Sequence, residues 1–213
     1  MPEKNRLTLV RTLVWYLDEF GENDPIKTVT LANGRSANEL SFRFAAGKAK
    51  STGEDVLMCG HLDRVGQLGE ELYVVDIKTT KSSLSPSFFA QFSPGNQMST
   101  YAYAARIVFG LPVRGVIIDG IQVGATFSRH QRGLVHRSEA QLDEWVSDWW
   151  VWYGQMEAAA SWEHWPMNDK SCGNYGGCPF QGVCARAGGA RQQWLDLNFT
   201  KRIWDPLQVR GEL

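Results

Sequence analysis

Apolar residues recur at Leu7, Val10, Leu13, Val14 and Leu17, the spacing of one helical face, and predict a helix over residues 4–20 that Gly21 and Pro25 end. Residues 27–32 and 38–45 read as strands either side of the turn pair Asn33-Gly34, and 46–55 as a small, polar loop. Strands at 56–65 and 71–80 enclose the turn residues Gly66 to Glu70. After a loop with Pro86 and Pro94, a helix at 96–109 stops at Gly110 and Pro112. Strands at 113–123 and 125–136 form a second hairpin. Ser138 and Gln141 then make a capping box for a helix with Leu142, Trp145, Val146, Trp149, Tyr153 and Met156 on one face, expected in the core. The last fifty residues read as irregular, a cysteine loop followed by a basic, aromatic tail.

The 213 residues suit one domain with a substantial core, and 43% hydrophobic against 21% charged residues exclude a disordered chain. No apolar run approaches the ~18 residues of a membrane span, and the first segment, broken by Arg11, lacks the form of a signal peptide. A cytoplasmic location follows as the expectation. The net charge of −1 provides no global attraction to nucleic acid, so affinity for DNA requires a local basic patch.

The chemistry concentrates between Cys59 and Lys81. Gly60-x-x-Asp63 precedes Asp76-Ile77-Lys78 by one hairpin. On a strand Asp76 and Lys78 project together while Ile77 packs behind. In a hairpin centred between Gly69 and Glu70, Asp63 lies opposite Asp76, with Cβ atoms ~4.5–5.5 Å apart. Two such carboxylates repel unless one is protonated or a cation joins them, and hard oxygen ligands favour Mg²⁺ or Mn²⁺. Each motif alone is common on solvated strands; their order and opposition point to metal-dependent phosphodiester cleavage.

Gly60-x-x-Asp63, Asp76-x-Lys78 and, nineteen residues on, Gln97-x-x-x-Tyr101 resemble the PD-(D/E)XK nuclease superfamily in its RecB-like exonuclease branch, with the AddB nuclease domain, the CRISPR-associated exonuclease and phage relatives. The resemblance covers residues of about 38–185. It implies an α/β fold with a restriction-endonuclease-like core, a mixed central sheet flanked by helices, at 1–165, and a cysteine-containing metal-binding appendage at 166–213. It implies metal binding by Asp63, Asp76 and the Ile77 carbonyl, with Lys78, Gln97 and Tyr101 completing the catalytic set. Relatives take a further ligand, often histidine, from an early helix; here that helix has none, and the abrupt start leaves open a segment upstream. Glu39 is either a substitute ligand or a solvated strand residue, and His61 a neighbouring hydrogen-bonder.

Cys172, Cys178 and Cys184 are spaced by five residues each in a glycine-rich loop, which suggests metal ligation rather than three isolated thiols. The resemblance implies a [4Fe–4S] cluster as a structural staple, with Cys59 the available fourth ligand; zinc with His164 is the alternative. Arg129, Arg132 and Arg137, with His130 and His136, form an acid-free span that either tracks phosphates or shields an edge hairpin from aggregation. Phe88, Phe89 and Phe92 either stack on bases or anchor their loop in the core. The expected function is an exonuclease acting on DNA ends or single strands, with recombination or CRISPR-adaptation proteins as partners and a bacterial or phage setting. A catalytically inactive DNA-binding or assembly subunit is the alternative, and a sequence-specific restriction enzyme would need recognition elements that are not found.

Overall fold

Asn5 opens the first helix, α1 (Arg6–Phe20), through a reciprocal capping box: its side chain accepts from Thr8 N–H and its own N–H donates to Thr8 Oγ1, both at 3.0 Å. The computed structural model describes residues 5–202, which fall into two compact units divided between Asp148 and Trp149. The apolar stripe of α1 does not enter the core. Leu7, Val10, Leu13, Val14 and Leu17 are all at least 47% exposed, whereas Thr8 and Thr12 are buried. The cause is the polar sheet surface that α1 meets. Thr12 Oγ1 bonds Ser128 Oγ at 2.7 Å, and the Arg11 guanidinium donates to the carbonyls of Gly124, Ala125 and Phe127. Buried polar groups need partners, and that requirement outweighs the periodicity of the helix.

The first unit is a mixed six-stranded sheet flanked by helices. Strands β1 (Ile26–Thr28) and β2 (Asn38–Lys48) both pair antiparallel with β3 (Asp55–Leu68), β1 with its end and β2 with the rest. The expected hairpin of two strands about Asn33-Gly34 is therefore reduced to a single bridge between Thr30 and Ser36. A 14-residue strand has room for both partners along one edge. Along its other edge β3 pairs with β4 (Glu71–Thr80), in the register Leu68↔Glu71 to Arg64↔Val75. Gly69 takes φ +62° in the tight turn between them, the place glycine occupies in hairpin turns.

A crossover through the short α2 (Pro86–Ala90) and α3 (Asn96–Phe109) brings β5 (Gly115–Val123) parallel to β4, and β6 (Ser128–His136) closes the order β1-β3-β4-β5-β6. Met98, Ala102 and Ala105 of α3 pack on Val74, Val116 and Ile118. Small alanines let the helix axis approach the sheet. Phe88, Phe89 and Phe92 pack partly buried against this core and edge-on to one another, so they anchor the α2 loop. Of the apolar face expected on α4 (Glu139–Ser161), Leu142 and Trp145 are buried, but Met156 is half exposed.

The second unit holds the remainder of α4, two single turns of 3₁₀ helix, α5 (Gln181–Cys184) and α6 (Gly188–Asn198), where an irregular region was expected. Its helical half of α4 clusters Trp149, Trp150 and Tyr153 ring against ring. The basic, aromatic tail beyond residue 202 lies outside the described residues.

Candidate metal site at the fork between β3 and β4

Pairing between β3 and β4 ends at Arg64↔Val75, and the next opposed residues are Asp63 and Asp76. At this fork Asp63 Oδ2 accepts the Ile77 N–H at 3.2 Å, replacing a ladder bond with a side chain. Gly60 is required by packing: a Cβ there would lie 2.7 Å from the buried Phe42 ring on β2. Asp76 is 2% exposed, and Lys78 Nζ stands 3.0 Å from its Oδ1 and 2.7 Å from its Oδ2.

Burial, and then the neighbouring negative charge of Asp63, push the Asp76 carboxyl above the usual carboxylate range, although Lys78 opposes them. One lysine does not neutralise two carboxylates. The residues present fit a divalent cation: the buried Asp76 Oδ2 receives no hydrogen bond of good geometry, and Asp63 is fixed beside it. Among the described residues no three His, Cys, Asp or Glu side chains are grouped as a metal-holding set, so this centre rests on two carboxylates.

On α3, Gln97 and Tyr101 stand one turn apart, and Gln97 Nε2 donates to the Tyr101 hydroxyl at 3.0 Å. Burial, followed by the charges of Asp76 and Asp63, raises the Tyr101 pKa and keeps its proton in place. The tyrosine thus senses both carboxylates. Its hydroxyl accepts from Gln97 and retains its own O–H to donate.

The side chain of Ile77 is 49% exposed instead of packing behind the strand. It faces a cavity of about 410 Å³ lined also by Tyr16, Asn38, Glu39, Asp63, Arg64 and Asp119. Glu39, at the start of β2, lies at this cavity with φ +49°, a conformation uncommon for a residue with a side chain. His61 bonds Ser41 Oγ through Nδ1 at 2.9 Å.

The three arginines of the basic span have different surroundings. Arg129 is exposed over the Phe127 ring. Arg137 is buried and donates to Ser99 Oγ and to the carbonyls of His136 and Phe92. Arg132 donates to Asp24 at 2.6 and 3.0 Å and to Asp119 at 3.2 Å, so its charge is engaged inside the protein. Sequence reading missed this cluster. Its one signal was Asp119, a lone acid amid GVIIDGIQV, where an unpaired charge would be untenable.

Cys172, Cys178 and Cys184 are free thiols in the second unit, their loop closed by the Cys178 N–H on the Cys172 carbonyl at 2.8 Å; Cys59 is a free thiol on β3. Among the described residues no three His, Cys, Asp or Glu side chains are grouped to hold a metal, so neither an iron–sulfur nor a zinc site is shown. No helix among the described residues is long and apolar enough to cross a membrane.

A sequence profile described as the PD-(D/E)XK nuclease superfamily matches residues 3–185. No curated protein matches the chain. Among solved structures, one titled "Crystal structure of SSO0001" aligns with a TM-score of 0.35 and 14% identity over 65% of this chain and 55% of that one. The chain thus spans little more than half the length of that structure.

Proposed function

Because the chain belongs to the PD-(D/E)XK nuclease superfamily, whose members are generally metal-dependent nucleases using Mg²⁺ or similar ions, we propose that it is a RecB-like exonuclease acting on DNA ends or single strands. The observation that carries the reading is the charge-frustrated pair of the buried Asp76 and the half-buried Asp63, with Lys78 in contact and Tyr101 within their field. Asp63, Asp76 and the Ile77 carbonyl are the residues to hold Mg²⁺ or Mn²⁺, with Glu39 near enough to the cavity to add a carboxylate. When bound there, such an ion would supply Lewis-acid polarisation of a phosphoryl oxygen and would lower the pKa of a water. Lys78 would orient the attacking water and offset charge developing on the phosphate. Tyr101, held by Gln97, donates its free O–H to a non-bridging phosphate oxygen.

Arg129 is the member of the basic span that supports a phosphate contact, being exposed. The Gln97/Tyr101 pair supports the RecB-like branch, and with it a role in recombination, repair or replication processing beside recombination or CRISPR-adaptation proteins, in a phage or bacterial cytoplasm. The spacing of Cys172, Cys178 and Cys184 supports a cluster in the second unit that forms only if the loop rearranges around iron. Anaerobically purified protein would then be brown and contain iron and sulfide; colourless protein would end that part of the reading.

The test is release of nucleotides from end-labelled single-stranded DNA with Mn²⁺, comparing wild type, Asp76→Ala and Lys78→Ala. The variants should lose activity by ~10²-fold or more. Equal activity in all three would refute the assignment, and cutting of a closed single-stranded circle would refute the exonuclease part. A second reading, a DNA-binding subunit without catalysis, is favoured by the two-carboxylate centre; it predicts that wild type binds the labelled strand and releases nothing.

A further inference from the structure

On the face of the sheet opposite α3 lies a second charged cluster that the nuclease reading does not use. Asp24, Arg64, Asp119 and Arg132 have side chains only 1–23% exposed. Tyr16 joins them, donating to Asp119 Oδ2 at 2.5 Å, and the Arg132 guanidinium stacks 3.9 Å over the Phe20 ring. Burying four charges carries a desolvation cost of several kcal/mol per ion, and apolar side chains of similar volume would fill the same space without it. Such a cluster therefore needs a reason other than stability.

Its attachment points supply one. Arg64 is the last residue of β3 paired with β4, and Asp63 is the first beyond the pairing. Arg64 and Asp63 are neighbours in the chain and both line the cavity at the fork, so a contact that fixes Arg64 constrains the backbone that carries Asp63. That contact is Asp24, whose Oδ2 lies 3.4 and 3.5 Å from the two Arg64 terminal nitrogens and whose Oδ1 is fixed by the Ile26 N–H at 2.8 Å. On the other arm, Asp119 is in register with Ile77, the residue between Asp76 and Lys78. Arg132 bonds both Asp24 and Asp119, and so ties the neighbour of each site-bearing segment to one point.

We propose that Arg64 is a positioning residue, anchored through Asp24, Arg132, Asp119 and Tyr16, that sets the fork between β3 and β4 so that Asp63 and Asp76 converge on one metal ion. The inference rests on the metal-site reading above. It ascribes to Arg64 no contact with substrate or metal.

The test is Mn²⁺ binding to the full chain without DNA, followed by electron paramagnetic resonance, for wild type, Asp76→Asn, Arg64→Met and Arg64→Lys. Arg64→Met should bind Mn²⁺ ~10- to 100-fold more weakly, the range for residues that orient metal ligands, with Arg64→Lys recovering most of it by restoring the ion pair with Asp24. In strand cleavage the same variant should lower kcat with KM for DNA unchanged. Wild-type Mn²⁺ affinity in Arg64→Met would overturn the proposal, as would failure of Arg64→Lys to exceed it. The outcome that instead sinks the nuclease reading is separate: equal Mn²⁺ binding by wild type and Asp76→Asn. Should Arg64→Met not fold, Tyr16→Phe removes one hydrogen bond at the far end of the cluster; it should weaken Mn²⁺ binding measurably, and unchanged binding there would equally overturn the proposal.

Discussion

Replacing Arg132 separates structural from DNA-facing roles in the basic span. In Arg132→Met the side chain keeps much of its length but loses every N–H bond. The lost contacts are two to Asp24 at 2.6 and 3.0 Å, one to Asp119 at 3.2 Å and one to the Tyr16 hydroxyl at 3.1 Å. Asp119 is then a buried carboxylate with only Tyr16 as partner, and Asp24 retains only the longer contacts from Arg64. Side-chain exposures of 12% for Arg132 and 13% for Asp24 leave little water to screen the loss. Breaking a buried pair from one side costs about 3–5 kcal/mol. At ~2–4 °C per kcal/mol for a domain of this size, the unfolding midpoint should fall by ~6–20 °C. Differential scanning calorimetry reads that shift, and the triple variant Arg132→Met/Asp24→Leu/Asp119→Leu should recover most of it by removing the stranded acids. Arg129→Ala is the converse: an unchanged midpoint, but weaker binding of a single-stranded oligonucleotide and a salt dependence shallower by about one phosphate contact. A midpoint for Arg132→Met within ~2 °C of wild type would refute the reasoning, because no buried charge would then depend on this guanidinium.

Burial alone would raise the pKa of Asp24, but the hydrogen bonds from Arg132 and Ile26 and the charges of Arg132 and Arg64 outweigh it and hold the carboxyl below its usual value. Its contribution to stability is present above the unfolded pKa near ~3.9 and is lost as pH falls through the lower folded value, so acid titration of the unfolding free energy should be flatter in Asp24→Asn. Asp76 has the opposite sign. With its pKa raised, ionisation costs stability as pH rises above the ordinary carboxylate range, so Asp76→Asn should melt higher than metal-free wild type at pH 7 yet gain nothing from added Mn²⁺. Gly60→Ala places a methyl carbon 2.7 Å from the Phe42 ring, which is 4% exposed and has little room to turn; urea unfolding should show a loss of ~1–3 kcal/mol.

The fork was legible in the sequence because strand alternation and a hairpin centre suffice to bring Asp63 opposite Asp76, and Gln97 and Tyr101 share a helical face whatever surrounds them. The periodicity of α1 misled for a physical reason: it reports which face is apolar, not which face the rest of the chain leaves for it. Ser128 on β6 and Arg11 on α1 decide the docking through hydrogen bonds that join residues more than a hundred positions apart. The same distance hid the rear cluster. Tyr16, Asp24, Asp119 and Arg132 carry no motif, and Arg132 read as a surface cation until its partners were in place. The helices of the second unit escaped because α5 is four residues long and α6 shows no strong apolar face.

The two charged clusters differ in charge balance, and that difference supports the proposed site. In one, Asp24 and Asp119 meet Arg64 and Arg132, two negative charges and two positive, summing to zero. In the other, Asp63 and Asp76 meet Lys78, two negative against one positive, leaving −1. Both clusters incur desolvation, so a fold shaped only by stability would have no cause to balance one and leave the other short. The missing positive charge is one that a divalent cation would bring with a surplus, and in the proposed reaction that surplus would draw in a phosphodiester. The balanced cluster therefore supports a scaffold role and the unbalanced one the proposed site, the two meeting where Asp63, Arg64 and Asp119 line one cavity.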